Sequence, residues 1–596
     1  MPKPNATADD NNSEKLDHIR HSLAHLLAAA VLKEFPDAKL GVGPTIDNGF
    51  YYDFELPRSL APEDLKTLEK TMRSFINKKL PFTGETVSVD EARKRFAQQP
   101  FKLDLINEFA AEGKKLTIYH TGDIFSDLCR GGHVENTSEI PADAFKLDKI
   151  AGAYWRGDEK NPQLQRIYGL AFATGAELDD YLKMRIEAEK RDHKKLGPQL
   201  DLFTFSELVG PGLPLWTPKG TMLRNLLDNF VWELRKARGY DQVDIPHITK
   251  KDLYERSGHW DKFKDELFKI TTREKHLYAM KPMNCPHHTQ IYARKQWSYR
   301  ELPQRYASTT KVYRDEQSGE LAGLSRVLAI TQDDAHVFCR ESQVKEEFLK
   351  IWDIIHTFYG AFGFSLRVRL SLRDPEHPEN YLGAPEKWEM AENILREVAE
   401  EKKAYTFDGI GEAAFYGPKL DFMGKDAIGR IHQLATIQID MTQPERFDLF
   451  CINENGDRER IVMIHAAIMG SIERFLSVII EHFAGAFPVW LAPVQATIVP
   501  VGEKFSEYGR KVYEELLAAG IRAEFSEATE SLGKRIREAE MMKIPHILVV
   551  GEKEEAAGKV AVRSRGVQQE GGVVPMPLQE FLRMIDGEIK TRQLEK

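Results

Sequence analysis

Three arginines and a glutamate carry the first chemistry that this sequence offers. Arg314 opens the stretch Arg314-Asp315-Glu316-Gln317-Ser318-Gly319-Glu320, and Arg326 precedes Thr331-Gln332-Asp333-Asp334-Ala335-His336. Arg314 is expected to end one strand and Arg326 to begin the returning one, so that two guanidinium forks face one site. A planar fork holds a carboxylate or a phosphate through two parallel hydrogen bonds, which a lysine cannot reproduce. Glu316, an acceptor between them, suits an exocyclic amine such as that of adenine. The residues alone equally allow a surface hairpin whose ion pairs contribute almost nothing. Arg474 follows Gly470 and Ser471 where the apolar run Phe475, Leu476, Val478, Ile479, Ile480 begins. A helix opening there turns backbone donors and an arginine toward a phosphate. The alternative is a core helix with one snorkelling arginine.

A second set of residues has the chemistry of metal ligands. His21 and His25 are four apart and share a helical face, and Cys129 and His133 repeat that spacing. Two such pairs fit a zinc site or a polar cluster capping a helix. Cys285, His336 and His465 lie too far apart for spacing to carry a metal signature. Near the C-terminus, Lys534, Arg535 and Arg537 fall on one predicted helix and Lys559, Arg563 and Arg565 on one predicted strand. As charge clusters they are most simply solvated faces.

The elements that must position these residues are legible in outline. The chain has 596 residues, long enough for about four domains at ~150 residues each. Its 42% hydrophobic and 29% charged residues suit a globular protein. A net charge of −9 argues against nonspecific wrapping of nucleic acid, so any RNA contact must use local basic patches. The four cysteines are too sparse for a disulfide framework and fit a reducing compartment. The N-terminus lacks the apolar core of a signal peptide, and no run approaches the roughly 18 apolar residues of a membrane span. The expectation is a cytoplasmic protein without a membrane partner. Residues 1–13 are polar and expected to be disordered. Apolar residues recur at helical spacing from Leu16 to Phe35, and mixed strands and helices continue to about residue 176. A charged helical connector, 177–200, closes at Gly197-Pro198. The largest unit spans 201–491. Beyond it, strands at Ala496–Val501 and Ile544–Val550 alternate with helices at Glu507–Ala519 and Gly533–Met542, which implies a small α/β domain over 492–596.

Four further strings complete the pattern: His21-Ser22-Leu23-Ala24-His25, Asp127-Leu128-Cys129-Arg130-Gly131-Gly132-His133, Lys281-Pro282-Met283-Asn284-Cys285-Pro286 and Gly470-Ser471-Ile472-Glu473-Arg474-Phe475. With the arginine hairpin, and in this order, the chain from about Leu16 onward resembles the threonyl-tRNA synthetases, a family of class II aminoacyl-tRNA synthetases. The resemblance implies an α+β multidomain protein. Residues 14–176 would be an α+β editing domain, 201–491 a catalytic domain built on the class II antiparallel sheet, and 492–596 an α/β anticodon-binding domain. It also implies a form without the ubiquitin-like TGS module that many members carry at the N-terminus.

The same resemblance implies a ligase that activates L-threonine with ATP and Mg²⁺, charges the threonine tRNA, edits seryl-tRNA and works as a homodimer. Cys285, His336 and His465 match the ligands of one zinc ion per subunit. Three protein ligands leave that metal a position for the substrate's amino group and hydroxyl. Valine, lacking the hydroxyl, leaves such a site unpaired. Serine lacks only a methyl, worth about 1–3 kcal/mol or roughly 10–200-fold, so a second, hydrolytic site is required. For it the family uses positions matched by His21, His25, Tyr52, Lys102, Asp127, Cys129 and His133, not generally with a metal. Arg314, Glu316, Arg326, Ser471 and Arg474 belong to the second and third class II motifs, with Arg474 on the γ-phosphate. Gln332, Asp334, Tyr416 and Gln438 match threonine or adenylate contacts, and Lys419 and Gln433 further active-site positions. Arg537, Glu554 and Arg563 match anticodon-reading positions. The sequence departs from the family pattern at His287, Leu328, His432 and Ala466, none of which removes a ligand or a motif arginine. Competing readings are another class II specificity such as prolyl or seryl, a non-catalytic tRNA-binding paralogue, and a stand-alone editing hydrolase. The three zinc ligands with the editing strings, the intact arginines, and the whole of 201–491 argue against them in turn.

Overall fold

The computed structural model describes residues 8–566, 573–592 and 594. The chain divides into two compact units, Met1–Ile186 and Glu187–Lys596.

The first unit opens on the helix Ala8–Glu34, whose residues Ile19, Leu23, Leu26, Leu27, Ala30 and Val31 are buried at the expected spacing. The stretch expected to be disordered overlaps this helix from Ala8 onward, while residues 1–7 lie outside the described ones. Once the packed half has formed, each further helical residue adds a hydrogen bond without a new nucleus, so polar composition alone does not stop it. The helix shares a core with an antiparallel sheet centred on Gly49–Glu55, Gln163–Ala171 and Phe145–Tyr154. A second, three-stranded sheet pairs Phe82–Val87, Leu116–Thr121 and Phe125–Leu128.

The charged stretch expected as one connector helix forms two, Gly175–Arg191 and His193–Gln199. They break at Asp192, whose carboxylate accepts from the Lys194 backbone N–H at 2.8 Å. Gly197 and Pro198 sit inside the second helix and do not end it. Gly197 serves a close approach instead, since a Cβ there would collide with the Phe203 ring.

The second unit contains an eight-stranded sheet: β1 (Asp241–Gln242), β2 (Gln304–Tyr313), β3 (Ala329–Cys339), β4 (Leu366–Leu372), β5 (Thr406–Ile410), β6 (Lys419–Lys425), β7 (Ile431–Asp440) and β8 (Val462–Ser471). Its order is β1-β2-β3-β8-β7-β6-β4-β5, antiparallel throughout β2 to β4 and parallel at both edges. Alternation sets its two faces. Ala335, Val337, Leu420, Phe422, Ile437, Ile439, Ile464 and Ala466 join a core with residues of the helices Pro218–Lys236, Val344–Gly360 and Ile472–His482. The intervening residues, polar at Asp334, His336, Lys419, Gln438, Asp440 and His465, take the opposite face. The hairpin corrects one expectation. Arg314 does follow the first strand directly, but Arg326 lies in the connecting loop, three positions short of β3.

Within the same unit a second sheet runs Ala523–Phe525, Ala496–Pro500, His546–Val550, Lys559–Ser564, Val574–Pro577, with its first three strands parallel. The helices Ser506–Ala518 and Leu532–Met541 alternate with these strands as expected for an α/β domain. No helix among the described residues is long and apolar enough to cross a membrane.

Candidate active site

Sheet register collects site residues that are distant in sequence. His336 on β3 lies directly opposite His465 on β8, His465 opposite Gln438 on β7, and Gln438 opposite Lys419 on β6. Directly opposed residues on antiparallel strands project to one side, so these four form a row across four strands. Asp334 and Asp440 stand two residues along their strands on the same side.

Cys285, the first residue of the helix Cys285–Tyr292, brings its thiol to this row. One donor atom from each of Cys285, His336 and His465 lies within 4.8 Å of the others, and all three residues are buried. Their other atoms are held. His465 Nε2 is 2.9 Å from Asp440 Oδ2, which makes it the protonated nitrogen and leaves Nδ1 a lone pair. His336 Nδ1 is 2.8 Å from His288 Nδ1, and His336 Nε2 faces His465 Nδ1 at 3.0 Å. Burial pushes the Cys285 thiol well up and the His336 imidazole well down. Converging lone pairs and a buried thiol fit a dication, which stabilises the thiolate and needs neutral imidazoles. The donor set fits zinc.

Around this centre, Asn284 donates to Asp334 at 3.1 Å, and Gln438 donates to the Gly417 carbonyl at 3.1 Å. The Tyr416 ring lies 5.4 Å from that of His465. Gln433 donates to Asp421 at 2.8 Å, and Lys419 pairs with the other oxygen of that buried carboxylate at 3.1 Å. Ser471 caps the helix Ile472–His482 by accepting from the Arg474 N–H at 3.1 Å, and it pairs across the sheet with Gln332. Between Gln332 and Asp334 the register slips, and Asp333 holds the slip by accepting from Ile468 and Met469 N–H, each at 3.0 Å. Burial raises Asp333 to about 7, against the pull of Arg235.

The two hairpin arginines differ. Arg314 lies over the Phe263 ring at 5.3 Å and donates to Met283 Sδ at 3.5 Å, and its Nε is a buried donor without a partner among the described residues. Arg326 instead places its fork on Glu316, at 2.8 and 2.5 Å, and reaches Glu320 at 3.1 Å. Among the departures, His287 is buried, neither ring nitrogen has a partner among the described residues, and burial takes it down to about 4. His432 bonds Asp426 at 2.9 Å, the Leu328 N–H donates to Gly212, and the Ala466 carbonyl accepts from Arg235.

In the first unit, a cavity of 510 Å³ is lined by His21, His25, Tyr52, Lys102, Asp127 and Cys129, among others. Lys102 is buried and bound to Asp127 at 2.6 Å, and Tyr52 donates to the other Asp127 oxygen at 2.5 Å. Cys129 Sγ is 3.4 Å from His21 Nε2 and 3.2 Å from His133 Nε2. Burial raises the Cys129 thiol to about 11 and lowers His21, His25 and His133. All seven residues singled out in this region of the sequence therefore meet in one place. One donor atom from each of His21, His25, Cys129 and His133 also lies within 4.8 Å of the rest, so the two readings of the paired spacings share a geometry.

In the C-terminal sheet domain, Arg537 is exposed, Arg563 is exposed and pairs with Glu540 at 2.8 Å, and Glu554 accepts from Gly551 N–H at 3.0 Å. Arg535 is buried on the carbonyls of Glu530 and Ser526, so it braces the fold and is not part of a solvated face. Sequence reasoning missed Asp440, His288 as a partner of His336, and Asp333. A lone carboxylate at the end of an apolar strand has no spacing signal. Its place two residues after Gln438 was the one available clue.

Three family models match the chain. The tRNA synthetase class II core domain (G, H, P, S and T) covers residues 268–483, an anticodon binding domain covers 495–588, and the threonyl and alanyl tRNA synthetase second additional domain covers 116–168. Sheet, motifs and models together define a class II aminoacyl-tRNA synthetase. The threonine–tRNA ligase of Gloeobacter violaceus is 48% identical over 591 residues, covering 98% of this chain and 94% of that one. That of Thermus thermophilus is also 48% identical, over 97% of this chain and 89% of its own length. The chain belongs to the threonine–tRNA ligase family. A solved structure titled as the RNA binding domain of threonyl-tRNA synthetase from Cryptosporidium parvum aligns with TM-score 0.63 at 36% identity, covering 67% of this chain and 98% of that one. Prolyl-tRNA synthetase from Giardia lamblia, at 16% identity and TM-score 0.53 over 69% of this chain and 81% of its own, shares the fold.

Proposed function

We propose that the chain activates L-threonine with ATP, transfers it to the threonine tRNA, and clears seryl-tRNA of that anticodon in its N-terminal unit. The observation that carries the reading is the convergence of Cys285, His336 and His465 beside Asp334 on the polar face of the sheet. These three residues would hold one zinc ion per subunit. When bound, zinc supplies a Lewis-acid position that takes the amino group and hydroxyl of threonine and leaves valine unpaired.

The protein's own groups do the rest. Asp334, a buried carboxyl, suits the substrate ammonium, and Gln332, Tyr416 and Gln438 enclose threonine and its adenylate. Arg314 offers its fork to the substrate carboxylate and the α-phosphate, and Glu316 accepts from the adenine amine. Arg326 and Arg474 take the terminal phosphates, while Lys419, Gln433 and Ser471 complete the wall. A threonine carboxylate oxygen bonds to the α-phosphorus as the bond to the β-phosphate bridge breaks, and pyrophosphate leaves with its Mg²⁺. Catalysis is mainly positioning and charge stabilisation. Nucleotide binding must exchange the Arg326–Glu316 pair for ligand contacts.

In the editing cavity, Lys102 and the imidazoles position a water and stabilise the ester's oxyanion. Arg537, Glu554 and Arg563 read anticodon bases. A cytoplasmic homodimer belongs to the same reading. The deciding experiment measures zinc and threonine-dependent pyrophosphate exchange in the parent and in Cys285→Ala. The parent should hold about one zinc per chain, and the variant should lose zinc and exchange together. Full exchange by a folded, metal-free variant overturns the reading.

A further inference from the structure

His193 stands outside every motif named above, yet it joins both arginine-bearing segments. It opens the helix His193–Gln199 and is 3% exposed. Its Nε2 accepts from the Leu324 backbone N–H at 3.1 Å, which places the ring proton on Nδ1. Nδ1 lies 2.6 Å from Glu481 Oε1, and the His193 backbone N–H donates to the same oxygen at 3.2 Å. The other Glu481 oxygen pairs with Arg430 at 2.6 Å. Burial would raise Glu481, but the bonds from His193 and Arg430 prevail and hold it below the usual carboxylate range.

The two partners matter because each belongs to a segment that carries a motif arginine. Leu324 is fully buried in the hairpin loop, two residues before Arg326. Glu481 lies near the end of the helix Ile472–His482, which begins beside Arg474. Loop and helix also meet at Ser325 and Ser477, whose hydroxyls are 3.0 Å apart. At Gly323 the backbone is left-handed, with φ of +55°, and a Cβ would collide with His193 Nε2. Glycine thus lets the loop close onto the ring.

We propose that His193 is a positioning residue for ATP: one neutral imidazole, donating to Glu481 and accepting from Leu324, fixes the hairpin loop that carries Arg326 against the helix that carries Arg474. The inference rests on the assignment of both arginines to the nucleotide. Among the described residues the His193 ring nitrogen is the side-chain acceptor on the Leu324 N–H. The Ser325–Ser477 contact lies on the other side of the loop's link to the helix, so losing the ring nitrogen loosens the loop two residues from Arg326 without freeing it.

The two nitrogens can be tested separately. In His193→Asn the amide nitrogen stands near Nδ1 and keeps a donor toward Glu481, with no atom at Nε2. In His193→Gln the amide oxygen reaches the Nε2 position and can accept from Leu324. Threonine-dependent pyrophosphate exchange is measured at varied ATP and at varied threonine, with melting midpoints and Arg474→Ala beside it. We expect His193→Asn to raise the KM for ATP about five- to tenfold, the scale of one lost buried hydrogen bond. The KM for threonine should stay within about twofold, and His193→Gln should recover most of the ATP loss. Equal behaviour of the Asn and Gln variants, or a parallel rise in both KM values with a fallen midpoint, overturns the proposal. If Arg474→Ala raises the KM for ATP and His193→Asn does not, the positioning role alone is wrong. If Arg474→Ala has no effect, the nucleotide assignment fails and the proposal with it.

Discussion

Asp440 accepts the Nε2 proton of His465 at 2.9 Å and thereby decides which nitrogen of that ring faces His336. Asp440 is fully buried, and its second oxygen accepts from the Thr442 and Gln443 N–H groups, each at 2.8 Å. The carboxylate is thus fixed before any ligand arrives, and its charge falls on the far side of the donor cluster. Partners of this kind orient metal-bound histidines and raise their basicity.

Asp440→Asn therefore has a specific consequence. The asparagine oxygen keeps the two backbone bonds, while its amide turns a donor toward His465 Nε2. The ring must then carry its proton on Nδ1, the nitrogen facing the other two donors. Zinc affinity, read by competition with a chelator, should fall about 10–100-fold with little loss of stability. Unchanged affinity would assign the metal elsewhere.

Arg314→Lys keeps the charge and loses the fork. Threonine-dependent pyrophosphate exchange should drop by at least about 100-fold, the scale of a lost transition-state donor, while tRNA binding holds. A variant exchanging pyrophosphate at the parent rate would remove Arg314 from the reaction.

The proposed editing role of the N-terminal cavity makes a prediction in pH. Burial lowers His21 and His25 from the ordinary histidine value of 6.5. A depressed pKa keeps an imidazole neutral as pH falls, so a base in this cavity stops working only in more acid solution. Deacylation of seryl-tRNA carrying a threonine anticodon should therefore lose activity with a midpoint below pH 6.5. Replacing His21 and His25 together with alanine should abolish that clearance and leave threonine activation intact. A midpoint above 6.5, or clearance by the double variant at the parent rate, contradicts the assignment.

Much of this site was legible because its residues are chemically unusual for their places. Arg474 at the head of an apolar run, and histidines at helical spacing in a leucine-rich segment, stand out in any reading. Arg326 was misplaced because a loop of Arg314 to Leu328 mixes glycine with strand-forming residues, and composition does not mark where pairing resumes. The row His336, His465, Gln438, Lys419 was not legible from the residues themselves, since it depends on the register of three strand pairs. Gly197 was read as a helix stop because termination and close packing select the same residue.

The most direct test of the whole account is amino-acid-dependent pyrophosphate exchange by the zinc-loaded protein with threonine, serine, valine and proline. The account predicts threonine first, serine lower by about 10–200-fold, and valine and proline near background, because only the first two carry the hydroxyl that the site reads. Valine exchanging as well as serine, or proline as well as threonine, would contradict it.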